Sequence, residues 1–110
     1  MEQHNHKRAL VPKGSDIKLA INITSLGDNV HITDTGVSLT AVITVGDHSE
    51  TFTKSDMRQL DTDTLILPLD TSVFPRGDMY ITTTTSVPDE DFTDDTRNEI
   101  QTNDTGITII

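Results

Sequence analysis

Apolar and polar residues alternate along two stretches of the chain, residues 17–23 and 37–45. Such an alternation with a period of two is typical of a β-strand that has one face against a core and the other in water. The apolar positions are Ile17, Leu19, Ile21 and Ile23 in the first stretch, and Val37, Leu39, Ala41, Ile43 and Val45 in the second. The pattern therefore predicts two half-buried strands.

A hairpin signal follows the second stretch. Gly46 and Asp47 suit the centre of a tight type II′ turn, in which Gly takes a positive φ. Residues 48–54 are then predicted to return as the partner strand, with Phe52 as its core residue. This register sets two polar residues against the core face, Glu50 opposite Ile43 and His48 opposite Val45. Either the partner strand lies at a sheet edge, where these side chains reach water, or the turn is longer.

The rest of the chain contains further short apolar runs separated by turn signals. Residues 55–60 fit a single helical turn capped by Ser55, or a plain connection. Pro68 donates no backbone hydrogen bond and so marks an edge or an end of its strand. The remaining predicted elements are strands at 65–69, 79–87, 97–101 and 107–110, with a turn at 103–106. Six or seven short strands predict an all-β sandwich or small barrel with antiparallel pairing.

Composition agrees with this fold class. A chain of 110 residues is long enough for one domain with a single modest core. Leu, Ile, Val and Phe together supply 29 residues, above the level of about one-fifth below which chains tend to stay disordered. The 19 Thr favour strands, because a β-branched side chain suits a pleated surface. With three Phe, one Tyr and no Trp, the core is predicted to be thin and aliphatic.

The net charge of −10 is unevenly distributed along the chain. Residues 1–18 hold four basic and two acidic side chains, whereas the other 92 residues hold four basic and sixteen acidic ones. Residues 1–13 have no periodic pattern and are predicted to form an extended N-terminal arm before a domain at 14–110. The acidic domain repels a phosphate backbone, which argues against nucleic-acid binding. The polar start and the lack of a long apolar stretch predict neither a secretory signal nor a membrane span.

No group of residues in the sequence has the spacing of a catalytic motif. Nucleophilic catalysis needs a Ser, Thr or Cys beside a base that a third group orients. The chain has no Cys, and its four His stand in no recognisable Ser motif. We therefore expect a protein that is not an enzyme and needs no cofactor. His4 and His6 in the arm form at most a weak chelating pair, because a metal site needs further fixed ligands.

An acidic loop at residues 89–95 is the other candidate metal site. Its carboxylates are hard oxygen ligands of the kind that Ca²⁺ takes; they are Asp89, Asp91, Asp94 and Asp95. The spacing does not match an EF-hand, because Asp94 stands where Gly is needed and Ile100 where the bidentate Glu belongs. The sequence favours a solvated loop without metal, and a Ca²⁺-dependent binding module remains an alternative.

The C-terminal residues 107–110 are three Ile and one Thr in an otherwise polar chain. Such a segment is either the last strand of the sheet or a strand offered to a neighbouring molecule, since an unpaired edge is adhesive. The intramolecular alternative is the favoured one. Because no catalytic motif is present, assembly is the function class that remains.

Residues 11–24, with a Gly-Ser-Asp turn that runs into an alternating strand, resemble the opening of small Ig-like domains in tailed-phage virion proteins. Residues 65–68 and 74–80 resemble the late strands of the same family, which a Pro/Gly turn joins before a Tyr. The N-terminal domain of phage baseplate proteins is one member of this family. The resemblance, which spans residues 11–87, implies an Ig-like antiparallel β-sandwich of about seven strands and no catalytic residues. The high content of Thr and Asp is also similar to that of virion proteins of crAss-like phages.

The resemblance implies a structural protein of the virion, assembled in the cytoplasm of a bacterial host. Because this chain has one domain, the leading hypothesis is a capsid auxiliary or decoration protein that binds the major capsid protein, with many copies in the particle. A neck, tail or baseplate adaptor with the same fold is the alternative. Docking is assigned to the basic arm and the C-terminal strand, at Lys7, Arg8, Leu10, Val11, Lys13, Ile107, Ile109 and Ile110.

Overall fold

Both alternating stretches are strands in the computed structural model of the chain, which describes residues 7–110. The eight strands are β1 (Ala9–Val11), β2 (Asp16–Asn22), β3 (Ser38–Val45), β4 (His48–Thr53), β5 (Arg58–Asp61), β6 (Thr64–Asp70), β7 (Gly77–Pro88) and β8 (Thr96–Ile109). Three short 3-10 turns lie between them, at Lys54–Asp56, Thr71–Val73 and Thr93–Asp95. The predicted all-β class is confirmed.

The strands form two sheets that pack face to face. One sheet has the order β1-β8-β7-β3-β4 and the other has the order β2-β6-β5. In an immunoglobulin sandwich the corresponding strands are G, F, C and C′ in one sheet and B, E and D in the other. The order β8-β7-β3-β4 against β2-β6-β5 therefore matches the expected Ig-like sandwich. The pairing of β1 with β8 is parallel, which the prediction of antiparallel pairing did not include.

The core lies between the inner faces of the two sheets. Ile43 of β3, Leu67 of β6 and Met79 of β7 are fully buried there. Phe74 is the only aromatic side chain within the buried cluster of the described residues, so the core is aliphatic as predicted. Leu26, from the connection between β2 and β3, closes one end of the sandwich.

The hairpin of β3 and β4 has the two-residue turn that the sequence predicts. Val45 is paired with His48, and Gly46 has a φ of 61°. The polar residues that this register opposes to the core are tolerated because β4 is an edge strand of the larger sheet. The imidazole Nε2 of His48 lies 2.6 Å from a carboxylate oxygen of Glu50, and both side chains reach solvent at this edge.

The predicted turn at 103–106 is wrong. Residues 96–109 are one continuous strand, and the irregularity is a bulge against β7: Asp78 is paired with Thr108, whereas Tyr80 is paired with Asp104. Gly106 has a φ of 78°, and its N–H donates to the carboxylate of Asp104 at 2.9 Å. A residue series that suits a turn also suits a bulge, since both need a positive φ beside an Asp or Asn acceptor.

Two further segments differ from the prediction. The turn near residue 55 spans Lys54–Asp56, and it is the Asp56 carboxylate that accepts a hydrogen bond, from the N–H of Thr53 at 2.8 Å. The residues that follow form β5, a strand that the sequence analysis missed. In the predicted arm, Ala9–Val11 is β1, a strand of the larger sheet, because β8 offers it a free edge. Residues 1–6, which include His4 and His6, lie outside the described residues.

Candidate binding surface

The structure brings the predicted docking residues of the two termini together at one corner. β1 lies alongside the end of β8, with Ala9 paired with Ile107 and Val11 paired with Ile109. The N–H of Ile110 donates to the carbonyl of Val11 at 2.9 Å. The C-terminal segment is therefore part of the molecule's own sheet, which is the intramolecular alternative. We call residues 7–13 together with residues 107–110 the β1 corner.

Arg8 is held at this corner by an ion-pair network. Its guanidinium makes two hydrogen bonds to the carboxylate of Asp104, at 2.7 and 2.9 Å, and a third to the hydroxyl of Thr108 at 2.6 Å. Asp78 lies 3.2 Å from the Nε atom. The hydrogen bonds from Arg8 hold the pKa of the Asp104 carboxyl below its usual value, and the same pairing raises the pKa of Arg8. Arg8 therefore pairs with two neighbouring carboxylates and offsets one of their two negative charges.

The docking residues of the β1 corner differ in how far they reach solvent. Leu10 is 63% exposed, and Lys7, Lys13 and Ile110 are exposed as well. Val11 and Ile107 are half-buried. Ile109 is 1% exposed and belongs to the core, so its side chain does not reach a partner.

The corner continues into a large surface that the sequence analysis did not identify, the outer face of the five-stranded sheet. Because Ala41 and Thr83 point into the core, their strand neighbours point outward. The register extends this to the paired strands. The outward residues are Ser38, Thr40, Val42, Thr44, Ser49, Thr51, Thr53, Tyr80, Thr82, Thr84, Ser86, Asn98, Ile100 and Thr102. We call this set the threonine-rich face.

The threonine-rich face carries no charged side chain. The only charges on the outer side of these strands and of β1, among the described residues, are Arg8, Asp78 and Asp104, which pair with one another at the β1 corner. Two apolar side chains stand out from the face: Tyr80 is 41% exposed and Ile100 is 68% exposed. In a chain of net charge −10, the charge on the outer side of these strands is thus confined to this one network.

Hydroxyl contacts between neighbouring strands order this face. The hydroxyls of Thr82 and Thr102 lie 3.0 Å apart across β7 and β8, and Ser86 donates to the side chain of Asn98 at 2.6 Å. Threonine is stiff at χ1, so few rotamers remain to be lost when a partner covers it. The face is therefore largely organised before binding.

The acidic loop does not form a metal site in the structure. No group of three or more His, Asp or Glu side chains that would hold a metal ion occurs within residues 7–110. The carboxylate of Asp89 instead accepts hydrogen bonds from Arg97 at 3.2 Å and from the N–H of Asp91 at 3.0 Å. Asp94 and Asp95 both have a positive φ and are exposed.

The two histidines of the described part each pair with a carboxylate. The Nδ1 atom of His31 lies 2.9 Å from Asp63, and this hydrogen bond raises the pKa of His31 above its usual value. The Nε2 atom of His48 contacts the carboxylate of Glu50, and its ring meets that of Phe74 edge-on, with 5.7 Å between the ring centroids. Neither imidazole is hydrogen-bonded to a hydroxyl group in the part of the chain that the structure describes. No helix in this part is long and apolar enough to cross a membrane.

Comparisons of the chain with protein-family models, with curated proteins and with solved structures found no match. The binding surface is therefore argued from its own chemistry. A signal for it is present in the sequence: the run Ile81-Thr82-Thr83-Thr84-Thr85 gives one strand two hydroxyls on each face. What alternation does not reveal is that the residues paired with Thr82, Thr84 and Ser86 on both sides of β7 are uncharged as well.

Proposed function

We propose that this chain is a non-catalytic assembly protein that docks onto a protein partner through its threonine-rich face. The observation that carries the proposal is the absence of charge from this face on an otherwise acidic domain. The central part of a protein interface is depleted of charged residues, whereas the surrounding rim is polar. A surface that needed only solubility would gain nothing from keeping charge off one face.

The side chains of the face suit docking. Tyr80 and Ile100 provide the exposed ring and aliphatic chain that act as anchors in many interfaces. Several hydroxyls of the face are already hydrogen-bonded to neighbouring side chains, so covering these groups leaves them satisfied. Arg8 and Leu10 border the face at the β1 corner, and their hydrogen-bonding and apolar groups extend it.

The dimensions of the face imply a weak contact for a single copy. Four strands of about seven residues cover roughly 15 by 23 Å, on the order of half of what one partner buries in a standard interface. Many copies on one particle would compensate, because each bound particle presents many sites at once. A partner that is itself a repeated surface therefore fits this face.

The resemblance to Ig-like virion domains suggests the setting. We infer a structural protein of a tailed-phage particle, assembled in the bacterial cytoplasm, that decorates the head by binding the major capsid protein. The acidic remainder of the molecule then faces solvent and keeps particles apart. A neck, tail or baseplate adaptor of the same fold would use the face in the same way but in fewer copies.

A charge substitution at the centre of the face tests the proposal. Thr84→Lys places a cation between Thr40 and Ile100, the residues paired with Thr84 on either side. The matched control is Thr62→Lys, at an exposed turn of the other sheet. Binding is measured to phage particles from which this protein has been removed. We expect Thr84→Lys to weaken this binding at least tenfold, and Thr62→Lys to bind like the unmodified protein. Equal binding by both variants would show that the protein does not dock through the threonine-rich face.

Copy number separates the two particle locations. A decoration protein is expected in hundreds of copies per particle, and an adaptor in about six or twelve, as the symmetry of closed rings requires. Quantitative mass spectrometry of purified particles measures this ratio. Removing residues 1–13 is not a clean alternative test, because it deletes β1 and uncovers Ile107 and Ile109.

A further inference from the structure

The two sheets have four edges, and three of them are poorly suited to accept another strand. β1 has three residues, and β5 has four residues with an irregular register after Gln59. β4 carries His48 and Glu50 on its inner side, and inward-pointing charged residues at an edge oppose strand addition. These are recognised ways in which sheet proteins avoid edge-to-edge association.

β2 forms the fourth edge and has none of these features. It has seven residues and pairs with β6 in an uninterrupted register, from Asp16 opposite Asp70 to Asn22 opposite Thr64. Its other side has no strand partner within the described residues. A long, regular and unpaired edge is a ready template for an added strand.

Backbone hydrogen bonds show which groups of β2 face the open side. The carbonyl of Ser15 accepts from Thr71, and the N–H of Ile23 donates to Asp63, so these two residues direct their backbone groups toward β6. Because the direction alternates along an antiparallel strand, the odd-numbered residues between them do the same. The N–H and C=O groups that face the open side therefore belong to Asp16, Lys18, Ala20 and Asn22.

A groove of about 270 Å³ lies beside this open edge. Leu19 and Ile81, both half-buried, form its apolar part, and Gln101, Asn103 and the ion-paired Asp104 of β8 form a polar wall. Gln101 and Asn103 are paired with Thr83 and Ile81 of β7 and so lie on the inner side of the five-stranded sheet, where the three-stranded sheet does not reach. The groove thus exposes interior surface next to unpaired backbone.

We propose that β2 pairs with β2 of a second copy, antiparallel about a two-fold axis at Leu19. In this register all seven residues of β2 are paired. The N–H and C=O groups of Lys18 lie opposite those of Ala20 of the second copy, so the two residues exchange a pair of backbone hydrogen bonds. Leu19 lies against its own counterpart, and Ile17 lies against Ile21. Asp16 faces Asn22, so no like charges are directly opposed.

Charge supports a second copy as the occupant. Two molecules of net charge −10 repel each other over most of their surfaces. β2 carries one Asp and one Lys, and the one charged residue that lines the groove, Asp104, is paired with Arg8. The other uncharged surface, the threonine-rich face, lies on the opposite sheet and remains available for docking.

The test removes a backbone donor on the open side of β2, which leaves the pairing with β6 untouched. Ala20→Pro deletes an N–H on the open side, and proline is tolerated at such an edge position. Ala20→Ser keeps the N–H and is the matched control. Sedimentation from about 10 µM to about 1 mM is expected to show a weak monomer–dimer equilibrium, which Ala20→Pro weakens at least tenfold and Ala20→Ser leaves intact. A dimer that persists in Ala20→Pro, or an unmodified protein that stays monomeric at the highest concentration, overturns the proposal.

Amide exchange in the unmodified protein gives a second readout, independent of how Ala20→Pro folds. In dilute solution the amides of Lys18 and Ala20 should exchange fast, whereas those of Leu19 and Ile21 should be protected by β6. At high concentration the first pair should become protected. Exchange of Lys18 and Ala20 that does not depend on concentration contradicts the dimer, whatever the outcome for docking through the threonine-rich face.

Discussion

The two outer faces of the sandwich are built by the same alternation and differ in chemistry. The five-stranded sheet presents hydroxyls, Tyr80 and Ile100, with no charge besides the network of Arg8, Asp78 and Asp104. The three-stranded sheet presents Lys18, Asp16 and Asp70 along β2 and β6, with Arg58 on β5. Burial dictates the inner residues of both sheets, but it leaves the outer residues free. The difference between the outer faces therefore reports on what each face does.

The largest loss of stability is expected for a substitution in the core, between the two sheets. Leu67→Ala removes a fully buried side chain at the centre of β6, so it should lower the free energy of unfolding by about 2–5 kcal/mol. Leu60→Ala makes the same chemical change at an exposed position of β5 and should cost less than about 1 kcal/mol. Urea denaturation followed by circular dichroism measures both. Similar losses for the two variants would mean that the core is not where the structure places it.

A smaller loss of stability is expected for a substitution in the ion-pair network of Arg8, beside the threonine-rich face. Arg8→Ala leaves Asp78 and Asp104 without their cation, so the pKa of Asp104 should rise toward its usual value. The folded pKa of Asp104 is depressed in the unmodified protein; its pairing therefore stabilises the fold above the unfolded pKa and is lost as the pH falls through the folded pKa. The stability difference between the two proteins should be small at pH 7 and should vanish in acid.

Thermal melts of both proteins between pH 7 and pH 2 follow this difference. Because the pair is at the surface, added salt should reduce it as well. A difference that grows as the pH falls would contradict the assigned role of Arg8.

The smallest effect concerns the pKa of His31, near the three-stranded sheet. The hydrogen bond to Asp63, just before β6, raises the pKa of His31. A raised folded pKa stabilises the fold below the unfolded value of 6.5, and the contribution is lost as the pH rises through the folded value. Asp63→Asn should return the His31 pKa toward 6.5 in an NMR titration of the ring protons. An unchanged pKa would show that the pair does not persist in solution.

Alternation was enough to predict the strands that the core requires. β2 and β3 follow the pattern because each turns every second residue toward the other sheet, whereas β4 was predicted from the hairpin turn at Gly46. β5 has only exposed residues, so no alternation marks it. β1 is a strand only because β8 passes beside it, and such pairing across the whole chain length leaves no local trace.

The binding surface was harder to predict for the same reason. The basic N-terminal residues and the Ile-rich C-terminal segment are local features of the sequence, so both could be predicted as docking residues. The structure brings them together at the β1 corner. The threonine-rich face exists only once β8, β7, β3 and β4 are neighbours in that order. A face composed of four separate segments becomes visible when the register between them is known.

The accessibility of Tyr80 tests the central claim most directly, because this residue is the only tyrosine of the chain and stands on the threonine-rich face. Nitration of Tyr80 is to be compared between the free protein and the protein on its particle, by mass spectrometry of the peptide that contains it. Modification of Arg58 by phenylglyoxal, on the outer side of β5 in the three-stranded sheet, is the internal control. We expect nitration to fall strongly on the particle while modification of Arg58 falls less. Unchanged nitration of Tyr80 together with protection of Arg58 would mean that the protein docks through the opposite face.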